Sequence, residues 1–494
     1  MNLLCLPVFG VVALCMQAAQ GGGKRVIFWP LPFVSHARYH SNMGRALTKR
    51  GHEVWLALPD YLQGRQQIDT SDLLILTYRT HFVMEDETKD CMRNTYFTGT
   101  RPDWLRYFSL YRKYCDHVLT DPELFSKLKD ELRPDLFVLD TVALTHMLTV
   151  LPYRLGVPFA LAGTYYDPLA MRVPFSPAST PMQIMKASDH MDFRQRLTQL
   201  VLHLAFSLIW DPINYHDAVA RYAPEMPYLP LDRLVAGAEV WLVEIDHVMD
   251  YPRPSLPNVK LIGATAGKPA GPLPLDLQEF MDDSGELGVV VASFGYSLTE
   301  IPEEISRKML AALLALKPMR AVFKSNLTSP DPDYIKTMTW IPQNNLLGHK
   351  NTKVFVTHCG KNGQYEALHH AVPMVGVPIF GDQHYNAERM RVKGFGEVLD
   401  IKTVSEQELT SVIKNVAKDA RYLERIQKAS HIHGMLFGLP MEQAAWWLDH
   451  VLQYGGDYMR SSSQEMALYQ FLMLDCFAFL LLCLLSCIVS SCLL

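Results

Sequence analysis

Ten short runs rich in Val, Leu, Ile and Phe recur along the chain, with room for a helix between most neighbours. Arg25–Pro32, Glu53–Pro59, Leu136–Asp140, Phe159–Gly163 and Glu239–Glu244 make a first series. Gly288–Gly295, Arg320–Lys324, Lys353–His358, Pro373–Phe380 and Gly396–Asp400 make a second. Runs of this length and content predict buried strands. Strands alternating with helical stretches predict parallel sheets covered on both faces. Between the series, the Gly/Pro-rich stretch Gly263–Pro274 reads as a linker. Two such units in tandem leave a cleft, and open parallel sheets bind ligands beyond the carboxyl ends of their strands.

Two further apolar stretches sit at the ends. Leu3–Ala19, followed by Gly21, Gly22 and Gly23, reads as a secretory signal, although no Lys or Arg precedes it. Cys476–Leu494 is an uncharged run of 19 residues. Crossing a bilayer core of ~30 Å takes about 20 apolar residues, so this run is read as a single span, with Met466–Leu474 extending it. Asp475 should then lie at the membrane edge, because a charge at mid-bilayer costs about 2.5–3.5 kcal/mol. Ser461, Ser462 and Ser463 before a terminal apolar tail leave a lipid-anchor signal as the alternative. The predicted layout is a signal at 1–20, a first domain at 24–265, a linker at 266–278, a second domain at 279–460 and an anchor at 466–494. The apolar run Leu200–Trp210 is predicted to be a core helix, with a helix on the membrane surface or one lining an acceptor tunnel as the alternatives.

Composition narrows the function class. A chain of 494 residues exceeds one ordinary core. A net charge of −5 without a basic block argues against a nucleic-acid partner. Outside the two ends only Cys91, Cys115 and Cys359 remain, which is neither a disulfide framework nor a metal cage. Cys91 and Cys115 are available to pair in an oxidising compartment. Asn326, Leu327 and Thr328 form one glycosylation acceptor.

The chemistry concentrates in the second half. Trp340, Ile341, Pro342 and Gln343 precede a strand that delivers His358, Cys359, Gly360, Lys361, Asn362 and Gly363. Tyr365, Glu366, Ala367 and Leu368 resume helical spacing, and the next strand ends at Gly381, Asp382 and Gln383. A strand, a tight glycine turn and a helix start present backbone N–H groups to a pyrophosphate. His358 is placed to donate to a phosphate oxygen, Glu366 to accept from ribose hydroxyls, and Trp340 to stack on a uracil ring. Asp382 and Gln383 suit sugar hydroxyls.

This segment, Trp340 to about Asp400, resembles the donor-binding signature of the UDP-glycosyltransferases, the superfamily that includes the animal UDP-glucuronosyltransferases. Asn386–Met390, Lys393 and Gly394 are similar to the glucuronosyltransferase branch, as is the whole layout. The resemblance implies a GT-B fold, two facing Rossmann-like domains. It gives Trp340 and Gln343 to the uridine, His358, Gly360, Asn362 and Gly363 to the phosphates, Glu366 to the ribose, and Asp382 with Gln383 to the sugar. Two positions depart from the animal pattern. Cys359 stands where Gly is usual, and Ser293, Phe294, Gly295, Tyr296 and Ser297 stand where Ser-x-Gly-Ser is usual.

By the same resemblance, His36 after the first strand is the general base and Asp140 its partner, with His40 the competing base. A His accepts a proton near neutral pH, and a carboxylate orients its ring. The implied reaction is inverting transfer of a hexosyl group, glucuronic acid favoured, from a UDP-sugar to a hydroxyl of a small lipophilic acceptor. A glucosyltransferase of the same mechanism and a non-catalytic UDP-sugar-binding protein are the alternatives. No metal or other cofactor is expected, and Asp331 with Asp333 lacks the context of a metal motif. The expected setting is the endoplasmic reticulum membrane with lumenal domains, or else the cell surface. Homo-oligomerisation is left open.

Overall fold

The computed structural model describes residues 23–89, 91, 94–174, 176–214, 217–295 and 301–493. The predicted signal at 1–20 and the Tyr296–Ser297 departure lie outside these residues. The first sheet comprises β1 (Arg25–Trp29), β2 (Glu53–Pro59), β3 (Leu74–Tyr78), β4 (Leu136–Asp140), β5 (Phe159–Gly163), β6 (Trp241–Val243) and β7 (Val259–Leu261). The second comprises β8 (Val289–Ser293), β9 (Arg320–Lys324), β10 (Ile335–Met338), β11 (Thr352–Thr357), β12 (Met374–Gly376) and β13 (Gly396–Val398). Their orders are β3-β2-β1-β4-β5-β6-β7 and β10-β9-β8-β11-β12-β13, parallel throughout.

In each sheet the strand order reverses once, between β1 and β4 and between β8 and β11. The loops leaving these strands diverge there and open a crevice, the usual ligand seat of such sheets. All ten predicted strands are present. The three the pattern missed, β3, β7 and β10, lie at sheet edges. An edge strand has one neighbour and a half-wetted face, so its apolar run is short and mixed, as in Leu74, which is 46% exposed.

Among the helices, α1 (Val34–Thr48), α2 (Phe193–Asn214), α3 (Lys361–His369), α4 (Gln383–Val392), α5 (Pro440–Tyr454) and α6 (Leu474–Leu493) frame the site and the chain's end. Alternation along β1 sends Val26 and Phe28 to one face, where they meet Ala37, Met43 and Leu47 of α1. Ala444, Ala445, Leu448 and Val451 of α5 complete this same cluster. The predicted second domain therefore does not keep its last residues. The small Ala pair on the apolar stripe of α5 lets it dock against α1, and the stretch up to residue 460 returns to the first sheet. Ser463 and Gln464 continue the return, donating to the carbonyls of Arg172 and Met171 at 3.3 Å each.

Three other expectations are corrected. On the first turns of α2, Leu197, Leu200, Val201 and Leu204 are 43–54% exposed, so this stretch is not buried as a core helix; the side chains of Phe206 to Trp210 lie outside the described residues. Its inward stripe is polar instead: Gln199 donates to the Thr180 carbonyl at 2.6 Å and lies 3.2 Å from His203. Cys115 keeps a buried thiol facing the Leu144 carbonyl at 3.9 Å and forms no bridge to Cys91. Of the predicted extension Met466–Leu474 only Leu474 joins the terminal helix, because Met473 adopts φ +55° and breaks the chain direction before α6. The window Leu474–Ser491 of α6 is long and apolar enough to cross a membrane, is unburied, and carries Asp475 in its first turn.

A buried ionic cluster ties the halves together. Asp250, after β6, pairs with Arg389 of α4 at 2.7 Å and with Arg253 at 3.2 Å. Arg389 also donates to Gln364 of α3 at 2.9 Å. Burial alone would raise the Asp250 pKa, but the two guanidinium charges outweigh it and hold the carboxyl well below the carboxylate range.

Candidate active site

The crevice of the first sheet holds the predicted base. The pairing of Trp29 with Leu139 brings the ends of β1 and β4 together, so Asp140 meets the turn that leads from β1 into α1. His36 lies in the first turn of α1, its Nδ1 2.8 Å from Asp140 Oδ2. With the carboxylate as acceptor, Nδ1 carries the proton and Nε2 keeps its lone pair. The carboxylate is held from every side. Leu31 N–H reaches Oδ2 at 3.2 Å, Val142 N–H reaches Oδ1 at 3.0 Å, and the Tyr39 hydroxyl donates to Oδ2 at 2.5 Å. Burial pushes the Asp140 pKa up, yet the charge and hydrogen bonds of His36 and His40 hold it well below the usual range. Gly163 at the end of β5 makes the cluster possible: a Cβ there would sit 2.6 Å from Thr141 Oγ1 and 3.0 Å from the Tyr39 hydroxyl.

The competing base is excluded by position. His40 is fully buried, with Nε2 3.1 Å from the Ala162 carbonyl, and burial lowers its pKa. The side chain of His36 is 17% exposed and opens on the cleft. Tyr39 and His40, one turn beyond His36, were not read from the pattern as the clamp on Asp140. Their helical spacing from His36 is the signal that would have found Tyr39.

The crevice of the second sheet holds the predicted phosphate seat. His358 follows β11, Gly360 caps α3, and Lys361, Asn362 and Gly363 form its first turn. The amides of that turn have no partner within the helix, which makes it an anion site. Gly295, at φ +75° after β8, closes over His358; a Cβ there would meet His358 Cε1 at 2.6 Å, so no other residue fits. Burial, then the nearby Lys324 charge, lowers the His358 pKa to about 4, leaving a neutral ring at pH 7. Lys324, at the end of β9, donates to the Gly295 carbonyl at 2.8 Å and is a cation of this seat that sequence reasoning missed. Cys359 adopts φ +64°, a conformation that favours glycine. Its buried thiol faces Gly376, where an added Cβ would come within 2.5 Å of Sγ.

Glu366 and Gln343 are brought together directly: Gln343 Nε2 donates to Glu366 Oε2 at 2.5 Å. Gly363 allows this approach, its bare Cα facing the Gln343 amide. Arg38 of α1, which sequence reasoning also missed, crosses the cleft and donates to Glu366 Oε1 at 3.0 Å. The Glu366 side chain is thus 2% exposed with both oxygens engaged. Trp340 is 47% exposed, two residues beyond β10 and three before Gln343. Asp382 caps α4, exposed, and accepts from Asn386 at 2.7 Å. Gln383 is buried, its oxygen taking the Ile379 and Phe380 amides at 2.9 and 3.1 Å, which leaves its NH₂ for a ligand.

Two facing Rossmann-type units with sites at both switch points define a GT-B glycosyltransferase. Solved structures share that fold. The glycotransferase of kitacinnamycin superposes with a TM-score of 0.64 at 20% identity, covering 87% of this chain and 99% of its own. Phytolacca americana UGT2, solved with UDP-2fluoro-glucose and pterostilbene, superposes with a TM-score of 0.60 at 16% identity, covering 88% and 99%. The family model described as UDP-glucoronosyl and UDP-glucosyl transferase matches residues 24–493. Human UDP-glucuronosyltransferase 2B15 is 30% identical over 98% of this chain and 94% of its own length. The 2-hydroxyacylsphingosine 1-beta-galactosyltransferase of Rattus norvegicus is 32% identical over 93% and 85%. The chain belongs to the UDP-glucoronosyl and UDP-glucosyl transferase family, and it is a UDP-glycosyltransferase.

Proposed function

We propose that the protein transfers a hexosyl group, glucuronic acid in the favoured case, from a UDP-sugar to a hydroxyl of a small lipophilic acceptor, with inversion. The observation that carries this reading is the His36–Asp140 pair at 2.8 Å, fixed across the cleft from the first turn of α3. His36 Nε2 takes the proton of the acceptor hydroxyl as that oxygen bonds to the anomeric carbon. The bond from that carbon to the diphosphate breaks, and the electron pair leaves with UDP. Asp140 keeps the ring in the productive tautomer and stabilises the imidazolium that forms. The α3 amides, the His358 ring and the Lys324 ammonium stabilise the charge growing on the leaving phosphate. Trp340 stacks on the uracil, Gln343 and Glu366 hold the uridine, and Asp382 with Gln383 hold the sugar. None of these steps calls on a metal.

The apolar α6 favours a membrane-held enzyme, and the setting proposed for it is the endoplasmic reticulum membrane with both sheets in the lumen. Exposed apolar residues on α2 suit a lipophilic acceptor or the surface that delivers it. The test is UDP release by membranes containing the protein, over a panel of UDP-sugars, lipophilic alcohols and phenols, beside His36→Ala. Acceptor-dependent release should fall by about 10²–10⁴-fold in the variant. Release that no acceptor stimulates would leave the non-catalytic sugar-nucleotide-binding reading instead.

A further inference from the structure

Lys361 stands between the two chemistries of the site, and nothing in the mechanism above uses its side chain. It opens α3 beside the phosphate seat, and it is 7% exposed. Its ammonium crosses the cleft and donates to the Thr164 carbonyl at 3.0 Å, just past β5. Thr164 lies near the clamp on Asp140: its neighbour Tyr165 donates its N–H to Thr141 Oγ1 at 3.0 Å, next to Asp140. With the leaving phosphate at α3 and the base at His36, the transferred sugar ring has to lie against this bridge.

The ammonium is undercompensated. Among the described residues, no carboxylate oxygen lies within 4.0 Å of its nitrogen. Buried charges are ordinarily paired. Burial, followed by the Arg389 charge, lowers the Lys361 pKa to about 8, with Glu244 the first of the carboxylates that oppose the fall. Glu244 supplies a second, independent sign. It follows β6, is fully buried, and engages Oε1 with the Thr265 amide and hydroxyl at 2.9 and 2.5 Å. Its Oε2 has no hydrogen-bond partner. Burial raises its pKa, the Lys361 charge partly opposing. A buried carboxyl oxygen that no donor reaches is least costly as a neutral O–H, and the geometry of Oε2 is that of such a group. A cation lacking an anion and an acid lacking an acceptor thus share one stretch of the cleft.

We propose that Lys361 and Glu244 form a subsite for the carboxylate of a uronic acid on the donor, Lys361 pairing with it and Glu244 donating to it. The proposal rests on the UDP-hexosyl transfer reading above and adds the residues that select the sugar. A neutral hexose, which carries CH₂OH in place of the carboxylate, leaves the ammonium unpaired. Asp382 and Gln383 touch hydroxyls common to both sugars and do not discriminate between them.

The experiment compares UDP-glucuronic acid with UDP-glucose, using full-length protein in membranes and any acceptor the wild type accepts. Lys361→Met should lower kcat/KM for UDP-glucuronic acid by about 10- to 100-fold, the size of a lost charge-assisted hydrogen bond. UDP-glucose should change by less than about threefold on the same scale. Binding of UDP, which has no sugar, should be unaltered and reports an intact seat. Lys361→Arg should retain the preference, as should Glu244→Gln, whose amide supplies the same donor. Equal losses on both donors in Lys361→Met, or in Lys361→Arg where the Met variant no longer binds UDP, would overturn the subsite. A wild type that uses only UDP-glucose would also overturn it while leaving the transferase standing. A wild type that releases UDP from no donor would instead remove the transferase reading itself.

Discussion

In the first half, the carboxylate of Asp140 is held by two backbone amides, Tyr39 and His36, and none of these partners has to move for an acceptor to reach His36 Nε2. In the second half, the carboxylate of Glu366 is held by Gln343 and Arg38, which occupy the oxygens that uridine is proposed to use. Both acids are almost wholly buried, and a buried carboxylate without partners is costly. The base's partner has a permanent set. The nucleotide's partner has a provisional one, so donor binding exchanges hydrogen bonds rather than adding them. On the proposed roles, orientation for catalysis is built in advance, while affinity for the donor is moderated by contacts it replaces.

Asp140→Asn should break the built-in side most severely, lowering kcat by about 10³–10⁴-fold with UDP binding unchanged, since an amide supports the wrong tautomer. A single-turnover rate beside UDP titration checks both halves of that statement. Asp250→Ala should destabilise the full-length protein by about 3–5 kcal/mol, because it strands two buried guanidinium groups. Its pH dependence has a definite sign. The folded pKa of Asp250 is depressed, so its contribution is complete above the unfolded value near 3.9 and is lost as pH falls toward the folded one. The melting-temperature gap between wild type and Asp250→Asn should therefore be constant above about pH 5 and shrink below about pH 4.

On the provisional side, Glu366→Ala should weaken UDP binding by about 10- to 100-fold and spare kcat at saturating donor. Arg38→Met should have the smallest effect and the most telling sign. Its side chain is a third exposed, so the ion pair is worth at most about 1 kcal/mol. Removing the competitor for Glu366 should raise UDP affinity by up to about fivefold. A fall in affinity would make Arg38 a ligand of the nucleotide and erase the contrast between the two acids.

Much of this arrangement was legible because it is local. The strand ends and the turn at Gly360 are set by runs of adjacent residues, and the structure places them at the two crevices. What escaped is what forms only across the cleft. Arg38 is two residues past the base, but its partner is 328 positions away. Lys361 reads locally as the first residue of a helix, and its reach to Thr164 needs both halves in place. Lys324 was counted as the end of a strand, and its role follows from sheet order rather than from its neighbours. The polar inner stripe of α2 was hidden by its greasier outer one.

The return of α5 to the first sheet bears on how the chain can be cut and recombined. The stripe Ala444, Ala445, Leu448 and Val451 belongs to the first half by packing and to the second half by position. A hybrid of two relatives joined once, at the Gly/Pro-rich linker, would set a foreign α5 against a native α1. Exchanging the first half cleanly takes a second junction in the Phe437–Pro440 turn, so that the closing helix travels with the sheet it covers. By the same logic, the first sheet expressed alone would leave that stripe's berth empty and exposed to solvent.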